Sequence, residues 1–213
     1  MHAHVSLTLW HRPPPNERHL ACAHYPSGGD QRKSGTAVAV RPDNLRAQRR
    51  RGVLRPSSHS YASLIASWVY SVEEAYWLAP KTPAPLTEAH VRAWRKPGHE
   101  PLALFNGREA QPIAYGELNV LSAARGEYWL GHLIVAPQHR GNGWGRCLTE
   151  LLLERAYRRH AARRVSLVVF PENERAIGCY HRAGFREEGY EEHELRHYGR
   201  LVRLLRMSAT NLA

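Results

Sequence analysis

The fold of this chain is decided by one stretch, Gln138-His139-Arg140-Gly141-Asn142-Gly143-Trp144-Gly145. An apolar run, Leu133–Val135, precedes it, and Pro137 ends that run. A helical pattern follows from about Gly143 to His160, so we predict a glycine-rich turn between a strand and a helix. The first turn of a helix leaves backbone N–H groups without partners and carries partial positive charge, so it suits an anion. The stretch therefore predicts a cradle for phosphate or pyrophosphate.

The residues of this turn limit the classes of ligand that it is expected to bind. Arg140 is expected to add a cation whose forked donors match phosphate oxygens. A P-loop ends in Gly-Lys-Ser/Thr, whereas Gly145 is followed by Arg146 and Cys147, which argues against nucleotide triphosphate chemistry. The spacing Gly-x-Gly-x-Gly also differs from the Gly-x-Gly-x-x-Gly of dinucleotide-binding folds. An ordinary glycine-rich turn at a helix start stays open as the alternative.

Composition and charge divide the chain into two parts. The 213 residues are 43% apolar, which suits one packed domain, and the net charge is +11. Residues 1–57 carry +7 of this charge and are broken by proline, glycine and arginine runs, with Thr36–Val40 as one plausible strand. We interpret them as a basic, disordered extension, either a neutral tail or a nucleic-acid tether. Residues 58–208 are predicted to form the folded domain.

Other features of the sequence bear on location. No apolar run reaches about 18 residues and the N-terminus lacks a signal-peptide pattern, so we expect neither a membrane span nor secretion. Three cysteines without paired spacing, Cys22, Cys147 and Cys179, indicate reduced thiols and a cytoplasmic protein. No metal site is expected.

The order of elements predicts an α/β fold. Leu64–Trp68 has a strand-like pattern, and Ser71 and Thr87 are predicted to cap helices over Val72–Leu78 and Glu88–Arg95. The remaining elements follow in chain order: strands at Leu102–Phe105, Ile113–Leu121 and Tyr128–Val135, the helix to His160, a strand at Val165–Phe170, a helix at Glu174–Ala183, and strands at Phe185–Leu195 and Arg200–Met207. We therefore expect a mixed sheet flanked by helices.

A second motif completes a family signature. Asn173, a good helix cap, is followed by Ala176, Tyr180 and the pair Gly184-Phe185. Together with the turn Gln138–Gly145, about 30 residues earlier, this segment resembles the GCN5-related N-acetyltransferase (GNAT) superfamily. The resemblance covers about residues 60–207 in pattern and 130–186 with specificity. It implies the acyl-CoA N-acyltransferase fold, with a central, mostly antiparallel sheet.

The resemblance also implies a reaction and a cosubstrate. An acetyl group would pass from acetyl-CoA to a primary amine by direct attack in a ternary complex. The backbone of Leu133, Ile134 and Val135 would pair with the pantetheine arm, and Asn173 would contact it. The pyrophosphate would lie on the turn residues, which are Arg140, Gly141, Asn142, Gly143, Trp144, Gly145 and Arg146. Tyr180 would lie near the thioester sulfur.

Acetyl transfer to an amine is expected to need a base and an acid. We assign Tyr180 as the acid that protonates the departing thiolate; the alternative is a tyrosine that only packs. Glu117, between Gly116 and Leu118 on a predicted strand, is our first candidate for the base, and His132 is a second. The alternative for Glu117 is a solvent-facing charge. The backbone amide of a residue near Val135 would hold the oxyanion.

Several questions stay open at this level. The acceptor is a small-molecule amine, a protein N-terminus or a lysine, and the protein is a monomer or a homodimer. Two other functions compete with catalysis. One is a silent acyl-CoA-binding module, and the other is a nucleic-acid-associated protein that acts through its basic tail.

Overall fold

A computed structural model describes residues 52–107, 109–195 and 199–211. They form one mixed sheet of seven strands in the order β1-β2-β3-β4-β5-β7-β6. The strands are β1 (Gly52–Pro56), β2 (His99–Asn106), β3 (Ala114–Ser122), β4 (Glu127–Val135), β5 (Arg164–Val169), β6 (Arg186–Leu195) and β7 (Arg200–Thr210). Within this sheet only the β4–β5 pair is parallel. The prediction of a mostly antiparallel mixed sheet flanked by helices is confirmed.

In the described residues, five α-helices accompany the sheet: α1 (Ala62–Ala66), α2 (Val72–Leu78), α3 (Glu88–Ala93), α4 (Trp144–His160) and α5 (Glu174–Arg182). The three predicted caps are confirmed. The side chains of Ser71, Thr87 and Asn173 accept hydrogen bonds from backbone N–H groups three residues further on. No helix in the described part of the chain is long and apolar enough to cross a bilayer.

The prediction of a strand at Leu64–Trp68 is wrong, because this segment lies at the end of helix α1 and just after it. Ala62 and Ile65, three residues apart, are both buried. They pack with Val91 and Trp94 in a second core cluster, which helical spacing allows. A short apolar run is compatible with a buried helix as well as with a strand. Here the apolar side chains are buried against α3, and the segment is helical.

The predicted boundary between residues 57 and 58 is also wrong. Gly52–Pro56 pairs antiparallel with β2, from Gly52 opposite Asn106 to Pro56 opposite Leu102. Leu54 packs against the main core, so this strand belongs to the domain. The rest of the predicted extension, residues 1–51 with the possible strand Thr36–Val40, lies outside the described residues.

The two faces of β3 look onto different sets of helices. Leu118 belongs to the main core with Leu148 and Leu152 of α4. Tyr115 belongs to the cluster formed with α1 and α3. Because side chains alternate along a strand, Glu117 shares the face of Tyr115. The predicted base therefore lies on the side of the sheet that α1 and α3 cover.

Strand β4 is irregular where the predicted site begins. It pairs with β5 only from Glu127 to Trp129, so its last six residues have no ladder to β5. On its other side the register with β3 shifts: Tyr115 lies opposite Ile134, but Glu117 lies opposite Gly131. One extra residue is thus accommodated in β4, and the bulge bends the strand. Together these features open a gap between β4 and β5.

Candidate active site

Three predicted parts of the site meet at the start of helix α4. A Cβ atom placed on Gly145 would lie 3.7 Å from Cγ2 of Val135 and 3.5 Å from Sγ of Cys179. Val135 ends β4, and Cys179 precedes Tyr180 in α5. The end of β4, the turn before α4 and helix α5 therefore lie next to one another.

The turn itself has the backbone expected of a cradle. Gly143 is the N-cap of α4 with φ +87°, and no side chain caps the helix there. Most residues with a side chain rarely adopt this φ, so glycine is favoured here. The first intrahelical bond runs from Cys147 N–H to Gly143 O. Helical geometry thus leaves the N–H groups of Trp144, Gly145 and Arg146 without intrahelical acceptors.

Side chains in the turn are engaged elsewhere. Trp144 is 7% exposed and its ring lies in the main core. Nε of Arg146 donates to Glu150 Oε1 at 2.7 Å. What these residues offer to a ligand at the helix start is therefore their backbone, while their side chains fix the helix in place.

Arg140 departs from its predicted role. Its Nε donates to Val135 O at 2.9 Å, its Nη1 to Glu74 Oε1 at 2.5 Å, and its Nη2 to Trp68 O at 2.7 Å. Both edges of the guanidinium are thus bonded to protein oxygens. Instead of presenting a free cation to phosphate, the side chain ties the turn to β4 and to the segment around α2.

The second motif places Asn173 and Tyr180 on α5. The Asn173 side chain accepts from Ala176 N–H at 3.2 Å and so caps the helix. The Tyr180 ring packs against the core and lies 6.0 Å from the ring of Phe185. Within the described residues its hydroxyl has no hydrogen-bond partner. It is therefore a donor available to a ligand.

Glu117 is the centre of a buried polar cluster. Its side chain is 0% exposed, which rules out a solvent-facing charge. The Tyr115 hydroxyl donates to Oε1 at 2.7 Å, and Asn119 Nδ2 donates to Oε2 at 3.3 Å. His132 Nδ1 lies 3.0 Å from Oε2, and His99 Nδ1 lies 3.6 Å from the same oxygen. Two imidazoles from different strands thus converge on one carboxylate oxygen.

His132 connects this cluster to the end of β4, where the coenzyme is predicted to bind. It lies in the β4 bulge with φ +48° and directly precedes Leu133. Its ring stacks on Trp94, with centroids 3.8 Å apart and planes 3° from parallel, and its side chain is 24% exposed. Although Nδ1 lies 3.0 Å from Glu117 Oε2, the contact does not meet hydrogen-bond geometry, and Nδ1 has no hydrogen-bond partner among the described residues. The ring is therefore held by the stack and by the charge of the carboxylate.

The sequence was compared with family models. Residues 69–185, more than half of the chain, match the model of the Acetyltransferase (GNAT) family. The chain belongs to the GNAT family. It is an acetyl-CoA-dependent N-acetyltransferase, as the two motifs indicated.

Solved structures agree with this assignment in fold. The spermidine N-acetyltransferase of Vibrio cholerae, in complex with CoA and spermine, is 19% identical. It covers 76% of this chain and 96% of its own, with a TM-score of 0.64. AAC(6')-Ib in complex with paromomycin and acetyl-CoA is 20% identical over 75% of this chain and 93% of its own, with a TM-score of 0.60. Both share the fold of this GNAT domain.

The electrostatics of the buried cluster favour an ionised Glu117. Burial by itself raises the pKa of this carboxyl, but the adjacent His132 and the hydrogen bonds from Tyr115 and Asn119 outweigh it, so the pKa lies below its ordinary value. Burial, with a smaller effect of Cys179, raises the pKa of Tyr180. Tyr180 therefore keeps its proton near neutral pH.

Some members of the site were missed by sequence reasoning. Tyr115 and Asn119 alternate with Glu117 along β3, so strand periodicity would have placed them beside it. His99 comes to Glu117 only through the register of β2 with β3, where it lies opposite Asn119. Trp94 reaches His132 through the packing of α3 on the sheet. No sequence pattern predicts the contact of His99 with Glu117 or that of Trp94 with His132.

Proposed function

We propose that this GNAT enzyme transfers acetyl from acetyl-CoA to a primary amine by direct attack in a ternary complex. The observation that carries the proposal is the Glu117–His132 pair beside the β4 bulge. It places a partly exposed imidazole, backed by a buried carboxylate, immediately before the strand residues assigned to the coenzyme. Such a pair is suited to remove a proton from an ammonium group.

The coenzyme is proposed to lie along the end of β4 and over the start of α4. The last residues of β4, Leu133–Val135, have no ladder to β5, so their backbone groups on that side suit the amides of pantetheine. The pyrophosphate is proposed to lie on the N–H groups of the turn and first helical residues, from Gly141 to Arg146. Arg140 acts there through the shape of the turn that it holds. Asn173 is proposed to contact the pantetheine region.

Proton removal from the amine is proposed to use two residues. Glu117 is fully buried and already accepts from Tyr115 and Asn119, so an acceptor amine does not reach it directly. His132 is partly exposed and takes the proton, and Glu117 stabilises the imidazolium that forms. The Trp94 ring beneath it adds a cation–π contribution. Glu117, our first candidate for the base, is thus proposed to act through His132, our second candidate.

The attack and the departure of the thiolate complete the step. The neutral amine bonds to the thioester carbonyl carbon, and a backbone N–H near Val135 is proposed to hold the oxyanion. The C–S bond then breaks, and the Tyr180 hydroxyl donates to the leaving sulfur. Because burial raises the pKa of Tyr180, full proton transfer is less favourable, and we expect a hydrogen bond to carry most of its effect.

The acceptor class is tested with a panel of amines. Polyamines and aminoglycosides belong in it because structures of similar fold hold spermine and paromomycin. Amino acids and peptides with free N-termini or lysines complete it. Each amine is incubated with acetyl-CoA, and the product is identified by mass spectrometry. We expect an N-acetylated product and stoichiometric release of CoA.

The catalytic pair is tested on the best acceptor. Glu117→Gln and His132→Gln are each expected to lower kcat/KM by about a hundredfold or more, the usual contribution of a general base. Affinity for acetyl-CoA should stay within about threefold of wild type, since neither side chain is proposed to bind the coenzyme. His193→Gln, which removes another glutamate-paired imidazole on β6, is the control. Full activity of both Glu117→Gln and His132→Gln would refute the proposed base.

A further inference from the structure

The Glu117 cluster contains a second imidazole that the proposed reaction does not use. His99 begins β2 and lies opposite Asn119, on the far side of β3 from His132. Its Nδ1 is 3.6 Å from the same carboxylate oxygen that His132 approaches to 3.0 Å. The side chain of His99 is 30% exposed and that of His132 is 24% exposed. Both rings therefore exchange protons with water while they share one buried anion.

The charges around Glu117 favour one proton on the two histidines together. The elements packed there contribute Tyr115 and Asn119 from β3, the two histidines from β2 and β4, and Arg95 after α3. Arg95 acts on Tyr115 and donates Nη2 to Ser57 O at 2.5 Å. One imidazolium balances the Glu117 carboxylate. A second would add an uncompensated positive charge beside the first, which is unfavourable because a nearby like charge disfavours the charged form.

We propose that His99 is a positioning residue for acetyl transfer, because it competes with His132 for the single proton that Glu117 can balance. This inference rests on the proposed role of His132 as base. A proton held on His99 disfavours a proton on His132. His132 then stays neutral, and able to accept a proton from the amine, at a lower pH than it would with Glu117 as its sole neighbour.

The test is a pH titration of His132 in the full chain, in wild type and in His99→Gln. NMR of the imidazole C–H signals reports the titration. Glutamine keeps a donor beside Glu117 but removes the second titratable ring. In wild type we expect a broad titration of His132, as is typical of coupled groups. In His99→Gln the titration should become narrow, and its midpoint should rise by about one pH unit, the size expected from loss of one nearby like charge. His193→Gln is the control for loss of an imidazole outside the cluster.

The pH profile of kcat/KM is measured on the same proteins. Its acid limb should move to higher pH by the same amount in His99→Gln, with the plateau within about threefold of wild type. An unchanged His132 titration in His99→Gln would overturn the inference. A shifted titration with an unshifted acid limb would support the sharing of one proton and would overturn instead the assignment of His132 as base. A uniform loss of activity without a pH shift would show that His99 only supports the fold.

Discussion

Nη1 of Arg140 donates to Oε1 of Glu74 at 2.5 Å and joins the turn before α4 to helix α2. The same guanidinium reaches the carbonyl oxygens of Val135 and Trp68. One side chain thus fixes the end of β4, the turn and the segment before α2 relative to one another. Its effect on the coenzyme site comes from the geometry of the turn rather than from a charge placed on phosphate.

Arg140→Lys tests this structural role. An ammonium group is a point charge and does not bridge three oxygens that a planar fork reaches together. We expect a loss of about 1–2 kcal/mol in the free energy of unfolding, as for one or two partly exposed charged hydrogen bonds. Affinity for acetyl-CoA should fall less than fivefold, because the guanidinium is bonded to protein oxygens and is not proposed to contact phosphate. Unchanged stability with a large loss of affinity would show instead that Arg140 binds phosphate directly.

Gly143 offers a matched pair of substitutions in the cradle. Asn and Asp both tolerate a positive φ and both cap helices well, so neither should prevent folding. Gly143→Asp places a negative charge where we propose the pyrophosphate. We expect its affinity for acetyl-CoA, measured by calorimetry, to be at least about tenfold weaker than that of Gly143→Asn, a difference of roughly 1.4 kcal/mol. Acetyl-pantetheine lacks the pyrophosphate, so it should bind both variants equally; a difference there would place the charge effect elsewhere.

Sequence reasoning succeeded where a local pattern decides the structure. The caps Ser71, Thr87 and Asn173 each need only the next turn of their own helix. The turn Gln138–Gly145 and the motif from Asn173 to Phe185 are equally local, and they were enough to indicate the family. The same reasoning failed for Leu64–Trp68, whose apolar run fits two structures until its packing partners are known.

The chemistry of the site was less accessible for the same reason. Glu117 was selected by its place on a central strand, but its burial and its two histidines depend on register across three strands. The assignment of Arg140 to phosphate rests on its forked donors and on its place just before Gly141. Two of the three oxygens that bind it lie 66 and 72 residues earlier in the chain, on Glu74 and Trp68. Such long-range contacts are set by tertiary packing, which a single sequence does not show.

The chemical role of Tyr180 can be separated from its packing role by removing its hydroxyl oxygen. Tyr180→Phe keeps the ring against Phe185 and the core, so acetyl-CoA affinity should stay nearly unchanged. We expect kcat to fall roughly tenfold, below the usual range for general acid catalysis, because a thiolate leaves readily and the raised pKa of Tyr180 limits proton transfer. Tyr157→Phe, which removes a buried hydroxyl without a hydrogen-bond partner among the described residues, is the control. A loss of coenzyme affinity that explains the whole change in kcat/KM would remove Tyr180 from the chemistry.

The last prediction concerns the N-terminal boundary of the domain. Deletion of residues 1–51 should leave the melting temperature nearly unchanged, because that segment is poor in apolar residues and rich in proline, glycine and arginine runs. Deletion of residues 1–57 also removes β1, its ladder to β2, and Ser57, whose N–H donates to Pro101 O at 2.9 Å and whose carbonyl accepts from Arg95.

We expect this second deletion to lower the free energy of unfolding by about 2–4 kcal/mol, from lost apolar burial and several exposed backbone groups. Thermal unfolding of the two truncated proteins measures the difference. Leu54→Ala in the full chain should reproduce part of the loss because Leu54 packs against the core. Val53→Ala should not, because Val53 is 39% exposed. Equal melting temperatures for the two deletions would mean that β1 adds nothing to the fold.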